Sequence, residues 1–388
     1  MILNKEVKTW EELDGIFTAS EIKQQPDTWR KTLVQMEKQK EEISAFIKQI
    51  TSCDDYDIIF TGAGTSEFVG NSIFSYLAKT HNYKTKSYGT TDIVAAPENY
   101  LSKTKPTLLV SFARSGNSPE SVAAVESANV VCDNVKHLFI TCNPEGALSK
   151  FAKNQTNCYA INLTPETNDN GFAMTSSFSN MYLAAVLAFT LDCFAQMKTA
   201  VEEVIRVSER SMAVVTTTIA EMINEFAFER IVYLGSNTNK GIAQESALKI
   251  LELTAGKVVS MYDSPMGFRH GPKSIVDEKT LTVVYLSDNE FTRQYEKDII
   301  KEMRHDQVGK LLVITTREDE VSALADYKII FKNKDKLENV LLGLEYIVAA
   351  QIISLYASLS VKNTPDHPSK SGTVNRVVQG VIIYPYKK

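Results

Sequence analysis

Two halves of this chain carry the same pattern. DIIFTGAGTSE (57–67) is matched by RIVYLGSNTNK (230–240), LLVSFARSGNS (108–118) by LTVVYLSDNEF (281–291), and LFITCNPEG (138–146) by LLVITTRED (311–319). Each match joins a short apolar run to a glycine-rich or polar turn, and helical patterns lie between the matches. This alternation is typical of a parallel sheet covered by helices on both faces. The sequence therefore predicts an α/β protein with two tandem units.

Helical patterns lie outside and between the two units. Residues 1–50 have the charged, intermittently apolar pattern of helices, with Thr18 and Glu21 spaced as a capping box. Apolar helices are also predicted at 177–197 and 201–228, and the second of them joins the units. We expect three parts: a helical segment at 1–50, a first α/β domain at 51–200 and a second at 201–388.

Composition limits the class of ligand and the compartment. The 388 residues are 44% hydrophobic and 23% charged, with a net charge of -5, which is globular composition without a general field for nucleic acid. A small phosphorylated metabolite held by local donors fits better. The five cysteines have no CxxC spacing, and the sequence shows no signal peptide. No apolar run approaches the ~20 residues that span a bilayer. We therefore expect a cytoplasmic protein without membrane partners.

The stretch SFARSGNSPES (111–121) has the order of a phosphate-binding turn, because an apolar run at 107–110 precedes it and a helical pattern follows. Ser118 is a suitable N-cap, with a proline at the first helical position and an acid in the first turn. Gly116 allows close backbone approach, and Ser111, Ser115 and Ser118 add hydroxyl donors. Taken alone, such a stretch is equally well explained as an ordinary turn.

The repeat helps to decide between these interpretations. In the second copy, Asp288 and Glu290 stand in the matching turn and would repel a phosphate, so only the first copy is expected to bind an anion. The first copy also has Ser66 in the turn GAGTS, at the expected carboxyl end of a neighbouring strand. This turn lacks the third glycine and the acidic partner of a dinucleotide site, so no nicotinamide cofactor is expected.

Three charged residues of the second half share one helix face. Glu245, Lys249 and Glu252 fall at i, i+4 and i+7, in a narrow stripe with apolar residues on both flanks. A surface Glu–Lys pair worth about 0.3 kcal/mol is the ordinary explanation. The apolar flanks favour a helix that lines a polar pocket instead.

His270 is the best-placed candidate for proton transfer among the five histidines, because FRHGP surrounds it with glycine, proline and a cation. A carboxylate and an imidazole together with a phosphate-binding turn indicate acid/base chemistry on a sugar phosphate. No HExxH or comparable spacing of ligands is present, so no metal is expected.

These motifs resemble a known family. TGAGTS, SFARSGNS and ExALKxxE (245–252) followed by RHGP are similar to sugar isomerase (SIS) domains, including the isomerase half of glucosamine-6-phosphate synthase. From about residue 21 to 386 the chain more closely resembles AgaS-type proteins, described as tagatose-6-phosphate ketose/aldose isomerases and as galactosamine-6-phosphate deaminases. MTSSFSNM (174–181) and NRVVQGVIIYP (375–385) belong to that group.

The resemblance implies a role for each matching residue. Residues implied in holding the phosphate or completing its loop are Ser66, Arg114, Ser115, Gly116 and Ser118. In the second half, it implies that Glu252 moves a proton between C1 and C2 and that His270 assists ring opening. Lys249 and Glu245 match supporting positions. Because this histidine comes from a neighbouring subunit in the family, the resemblance implies a homodimer or higher homo-oligomer with its active site at the subunit interface, and no cofactor.

The chain departs from the synthase at two positions. Ala113 replaces the first serine of its phosphate loop, so that one donor is missing or is replaced by Ser111. Arg376 stands at the place of the lysine that forms an imine with ketose, and a permanent cation is unsuited to that role. The chain also has no glutaminase half. Deamination of galactosamine 6-phosphate to tagatose 6-phosphate is therefore expected, with plain ketose/aldose isomerisation, fructosamine-6-phosphate deglycation or non-catalytic sugar-phosphate sensing as alternatives.

Overall fold

The computed structural model describes residues 1–82, 84–376, 378 and 380–387. Its strands are β1 (Asp57–Gly62), β2 (Thr85–Gly89), β3 (Thr107–Ala113), β4 (Val135–Thr141), β5 (Cys158–Asn162), β6 (Arg230–Leu234), β7 (Val259–Asp263), β8 (Thr280–Tyr285), β9 (Lys310–Thr315) and β10 (Tyr327–Ile330). Its α-helices are α1 (Val7–Glu12), α2 (Ile16–Lys23), α3 (Gln25–Thr51), α4 (Thr65–Thr80), α5 (Thr90–Ala95), α6 (Pro97–Tyr100), α7 (Pro119–Val131), α8 (Ala147–Lys153), α9 (Ser176–Ala188), α10 (Phe194–Glu225), α11 (Thr238–Leu253), α12 (Glu290–Asp306) and α13 (Asn339–Ser360).

The chain divides into two compact units, each with one sheet. The first-sheet unit consists of Asp27–Asp169, Ser176–Lys198 and the described residues of Thr373–Lys388. The second-sheet unit consists of Met1–Pro26, Asn170–Thr175 and Thr199–Gly372. Each unit is therefore assembled from three separate pieces of chain. The sequence-based boundaries at 50 and 200 stay a prediction.

The two sheets have the same topology. The first has the order β2-β1-β3-β4-β5 and the second β7-β6-β8-β9-β10, and every adjacent pair of strands is parallel. Counted along the chain, both orders are 2-1-3-4-5, in which the strand order reverses between the first and third strands. The predicted repeat and the predicted α/β fold are confirmed. Ligands of such sheets bind beyond the carboxyl ends of the strands at this reversal point.

Helices cover both faces of the first sheet. Ile59 and Leu109 pack with Ile93 of α5 and Ala124 of α7 on one face. On the other face α4 approaches so closely that a Cβ at Gly70 would lie 2.9 Å from the Cβ of Phe60. This alternation follows from the strand period of two residues, which sends neighbouring side chains to opposite faces. The same arrangement recurs in the second sheet, where Val232 packs on the α12 side and Tyr233 stacks on Tyr285 on the other.

Several predicted element boundaries differ from the structure. β3 continues to Ala113 rather than ending at 110, because its register with β4 extends through Phe112 and Ala113. The break between the apolar helices lies near the 3-10 helix Leu191–Cys193, not at 198–200. Strands β2, β7 and β10 were not predicted, since they are short and only partly buried.

The capping box predicted at Thr18 and Glu21 is wrong. Gly15 is the N-cap of α2, and Thr18 lies inside that helix. The hydroxyl and N–H of Thr18 both donate to Oδ1 of Asp366, at 2.7 and 2.8 Å. Glu21 accepts hydrogen bonds from the N–H groups of Asn170 and Gly171. Both polar residues therefore fix remote segments of the second-sheet unit instead of starting a helix.

Helix α13 corrects the prediction that no apolar run approaches membrane-spanning length. This helix of 22 residues, with a mean hydropathy of 1.8, is long and apolar enough to cross a membrane by length and composition alone. Its most apolar 18-residue stretch is entirely buried inside the protein. α9 with Leu191–Glu225 passes the same test only as a pair bent by 83°. The polar residues Glu345 and Gln351 interrupt the run in the sequence, although both are fully buried in the structure.

Acid is expected to destabilise the protein through His137, which is fully buried in β4. Its Nε2 lies 3.0 Å from Oδ1 of Asn129, and Nδ1 has no hydrogen-bond partner among the described residues. Burial lowers the pKa of His137 from 6.5 to about 4. The folded protein therefore keeps the imidazole neutral, and its contribution to stability is complete above pH 6.5 and is lost as the pH falls toward 4. The loss is at most about 3 kcal/mol.

Urea unfolding between pH 7.5 and 4.5 measures this effect. His137→Gln is expected to make the free energy of unfolding less dependent on pH, because glutamine does not titrate. His305→Gln, at an exposed position, is the control and should leave the dependence unchanged. An equal pH dependence in wild type and His137→Gln would show that protonation of His137 does not contribute to acid destabilisation.

Candidate active site

The polar loop after β3 begins a helix where the sequence predicts one. Ser118 is the N-cap of α7, with φ -63° and ψ 135°, and its hydroxyl accepts a hydrogen bond from the N–H of Ser121. Pro119 occupies the first helical position and Glu120 the first turn. The N-terminus of a 13-residue helix, with its positive dipole end, therefore opens at the carboxyl end of β3.

A second loop fixes the shape of this one. Gly116 has φ +66°, a conformation that L side chains rarely adopt. The side-chain amide of Asn143 donates to the carbonyl of Ser115 at 3.0 Å, and the N–H of Leu148 donates to the carbonyl of Gly116 at 3.2 Å. Gly146 lies so close that a Cβ there would be 2.4 Å from the Ser115 carbonyl. The loop carbonyls are thus turned toward the protein, which prepares the loop for an anion.

Ser66 lies at the same edge of the first sheet. β1 and β3 are neighbours, with Thr61 opposite Ser111, so the turn after β1 and the loop after β3 flank the reversal of strand order. Ser66 is in the first turn of α4, and a Cβ on Gly62 would overlap its backbone at 2.4 Å. The structure therefore brings the turn with Ser66 and the loop with Ser115, Gly116 and Ser118 to one edge, where ligands of this fold bind.

Ser111 does not belong to the loop. It lies within β3, is 1% exposed, and its hydroxyl has no hydrogen-bond partner among the described residues. Because β3 runs three residues further than predicted, Ser111 points from a strand and not from the turn. Its expected part in replacing the missing serine at Ala113 stays a prediction.

The two arginines assigned to the site belong to one chain of hydrogen bonds. Arg114 is 6% exposed, and its guanidinium donates to the backbone carbonyl of Arg376 at 2.7 Å. The guanidinium of Arg376 donates in turn to the carbonyl of Asp169. The carboxylate of Asp169 accepts hydrogen bonds from the side chains of Ser176 and Ser177 at the start of α9. These contacts join the loop after β3 to the C-terminal segment within the first-sheet unit.

In the second-sheet unit, α11 carries the predicted charged stripe, and the structure shows it as a buried row. Nζ of Lys249 lies 3.3 Å from Glu245 and 2.5 Å from Glu252. The side chains of Glu245 and Lys249 are completely buried, whereas that of Glu252 is 24% exposed. Only Glu252, at one end of the row, is open to a ligand.

The charge of Lys249 depends on its two carboxylates. Burial lowers the pKa of Lys249, but the attraction of Glu245 and Glu252 outweighs it, so the pKa is raised above its usual value. A lysine that is buried and cationic is not a nucleophile. It instead holds the Glu252 carboxylate in position.

His270 lies on an exposed turn between the 3-10 helices Gly267–Arg269 and Pro272–Ile275. Glu302 of α12 anchors this turn, because it accepts hydrogen bonds from Arg269 at 2.7 Å and from Lys273. The imidazole itself makes no side-chain hydrogen bond within the part of the chain that the structure describes. It is therefore free to meet a ligand.

Comparison with known proteins decides the family. The SIS domain model matches residues 49–191 and 227–361, one stretch in each half of the chain. The chain belongs to the SIS domain family. The resemblance predicted from TGAGTS, SFARSGNS and ExALKxxE is confirmed.

Full-length relatives make the SIS assignment more specific. The chain is 43% identical over 377 residues to D-galactosamine-6-phosphate deaminase AgaS of Escherichia coli, which covers 96% of this chain and 97% of that protein. Among solved structures, a Clostridium novyi NT protein described as a tagatose-6-phosphate ketose/aldose isomerase superposes with a TM-score of 0.96 at 42% identity, covering 100% of this chain and 99% of its own. The Escherichia coli tagatose-6-phosphate ketose/aldose isomerase gives 0.90 at 37%, with 99% coverage of each chain.

Sequence reasoning missed the residues that support the SIS site. Asn143 and Gly146, in the turn after β4, shape the loop after β3, and the carbonyl of Asp169 accepts a hydrogen bond from Arg376. Gly146 and Asn143 could have been predicted to support the loop after β3. In parallel neighbouring strands, the turn at the carboxyl end of β4 must adjoin that loop. The contact of Arg114 with a residue 262 positions away had no local signal.

Proposed function

We propose that the chain deaminates an amino sugar phosphate, converting galactosamine 6-phosphate and water to tagatose 6-phosphate and ammonium. The observation that carries the proposal is the 43% identity to the galactosamine-6-phosphate deaminase AgaS over nearly the whole of both chains. Glu252, which is partly exposed and held by the buried Lys249, supplies the base that this reaction needs.

The first-sheet unit is proposed to bind the phosphate. Ser115 and Ser118 supply hydroxyl donors, Gly116 lets the backbone approach, and the α7 N-terminus favours negative charge. Ser66 adds a hydroxyl from the neighbouring turn. A phosphate that is remote from the reacting carbons contributes binding energy and orientation, which favours turnover when the sugar is held correctly.

The second-sheet unit is proposed to perform the chemistry. His270 transfers a proton to open the ring, which yields the free aldehyde. Glu252 then removes the proton from C2 and returns it to C1, so the carbonyl at C1 becomes an alcohol and the C2–N bond becomes an imine. Water adds to the imine carbon, the C–N bond breaks, and nitrogen leaves as ammonium. Glu245 and Lys249 act through Glu252 as positioning residues, and no imine with the protein is needed.

Plain ketose/aldose isomerisation is the second candidate. The relatives with solved structures at 42% and 37% identity are described as tagatose-6-phosphate ketose/aldose isomerases. The same base and proton transfer from C2 to C1 serve both reactions, and only the release of nitrogen differs.

An ammonium assay on the purified protein tests the choice. We expect galactosamine 6-phosphate to give equal amounts of ammonium and ketose phosphate, with glucosamine 6-phosphate as the epimeric control and galactose 6-phosphate as the substrate of plain isomerisation. Ketose formation from galactose 6-phosphate without ammonium from either amino sugar would exclude the deaminase. We also propose a cytoplasmic homo-oligomer with its active site at the subunit interface. Sedimentation of the same preparation tests the oligomeric state.

A further inference from the structure

In the second sheet the strand order reverses between the turn after β6 and the loop after β8, which is where sheets of this topology form a crevice. Its first turn repeats that of the first sheet closely. Asn237 has φ 53° and ψ -121°, while Gly64 has φ 56° and ψ -128°. A Cβ on Gly235 would meet the backbone of Asn239 at 2.2 Å, as one on Gly62 would meet that of Ser66. The backbone of an anion-binding turn is therefore preserved in the second copy.

The second loop is shorter than the first. Val284 pairs with Leu234 as Ser111 pairs with Thr61, but the N-cap follows five positions later, at Asn289, rather than seven positions later, at Ser118. The second loop is thus two residues shorter than the first loop, which contains Gly116. Less backbone is available there to surround a ligand.

A carboxylate of the chain itself fills this crevice. Glu296 of α12 accepts hydrogen bonds from the N–H of Ser287 at 2.7 Å and from its hydroxyl at 2.6 Å. Burial raises the pKa of Glu296, and the side chain of Ser236, in the turn after β6, is among the groups that oppose this rise. This carboxylate, on a residue that is 0% exposed, therefore interacts with both the loop and the turn. A charged group needs such donors to be stable there.

Glu296 shares the buried face of α12 with a cation, Arg293, whose guanidinium donates to the carbonyl of Ser287 at 2.9 Å and whose charge favours the ionised form of Glu296. The buried face of α12 consists of Arg293, Glu296, Ile299, Ile300 and Met303. An apolar residue is the ordinary choice at the middle of such a stripe. Of the acids named from the sequence, Asp288 lies beside Ser287 in the same loop but accepts from Thr316, and Glu290 pairs with Arg317 and Lys336 at the surface.

Further polar groups in the same turn lack partners. Asn239, which stands where the first copy has Ser66, is 0% exposed, and neither its amide nitrogen nor its amide oxygen is hydrogen-bonded to any described residue. The hydroxyl of Thr238 is also buried and unpaired within that part of the chain. The crevice therefore offers more hydrogen-bonding capacity than Glu296 uses.

We propose that the second crevice is an anion site that the chain occupies with its own Glu296 carboxylate, and that removal of this carboxylate leaves a site for a small oxyanion such as inorganic phosphate or acetate. The native chain thus has one crevice open to an anion and one that is closed. In the second copy a carboxylate of the chain itself takes the place of an external anion.

Phosphate binding by the full-length Glu296→Ala variant tests the proposal. Equilibrium dialysis with radiolabelled phosphate is expected to show one more equivalent bound per chain than in Glu296→Gln, whose amide keeps the crevice filled. Acetate and phosphate should raise the melting temperature of Glu296→Ala by several degrees relative to chloride at equal ionic strength. Glu290→Ala, which removes an exposed acid of the same helix, should behave as wild type.

The same measurements in a Ser115→Ala background separate this proposal from the proposed function, because the extra equivalent must persist when the first loop is impaired. Equal phosphate binding by Glu296→Ala and Glu296→Gln, with no stabilisation by either anion, would overturn the proposal and leave the deaminase assignment intact. If Glu296→Ala does not fold in chloride, its refolding yield in acetate or phosphate replaces the dialysis. A yield that no oxyanion improves would equally overturn it.

Discussion

Glu252→Gln is expected to lower kcat by about 10²- to 10⁴-fold while the protein still binds sugar phosphate. Glutamine has the size of glutamate and its carbonyl can accept the hydrogen bond from Lys249, so the row on α11 keeps its geometry. The amide has no basicity, however, and cannot remove a proton from C2. Steady-state kinetics with galactosamine 6-phosphate and calorimetric titration with the same ligand measure the two properties.

Solvent exchange gives a second measurement of the same step. In heavy water, wild type is expected to place deuterium at C1 of the ketose product, because the base exchanges its proton before returning it. Glu229→Gln is the matched control, since Glu229 also pairs with a lysine but lies at the surface of the same unit. An unchanged kcat in Glu252→Gln would mean that another group is the base. Loss of ligand binding together with kcat would show that Glu252 also binds the sugar.

Features set by neighbouring residues could be predicted from the sequence. Ser118, Pro119 and Glu120 determine the start of α7 through local capping, and that start was predicted correctly. The repeat predicted two equal units, and both sheets have the same strand order. The stripe of Glu245, Lys249 and Glu252 was visible because a helix brings positions i, i+4 and i+7 together.

Features that depend on remote contacts could not be predicted. Thr18 resembles a helix cap in the sequence, but its partner is Asp366, 348 positions away. Arg114 resembles a phosphate ligand, although its guanidinium reaches the carbonyl of Arg376. Long polar side chains are placed by whatever the sheet brings beside them, and a local pattern contains no record of that neighbour. Glu296 was missed for the same reason. Ser287 lies in the loop before α12, but Ser236 lies in a turn 60 residues earlier in the chain.

Lys249→Met is expected to lower the free energy of unfolding by about 3–5 kcal/mol. Methionine nearly matches the length of the lysine chain, so little cavity is formed. The variant nevertheless leaves two carboxylates without the cation that both contact, and Glu245 is completely buried. An uncompensated buried charge is far more costly than the loss of a surface pair. Urea unfolding followed by circular dichroism measures the change.

The control is Lys8→Met, which removes the lysine of the exposed i,i+4 pair Lys8–Glu12 and should change stability by less than about 0.5 kcal/mol. A double-mutant cycle identifies the cause of the larger loss. If unpaired charge is responsible, Glu245→Gln combined with Lys249→Met should be more stable than Lys249→Met alone, because the amide removes the repulsion from Glu252. A double variant that is less stable than Lys249→Met would instead assign the loss to packing.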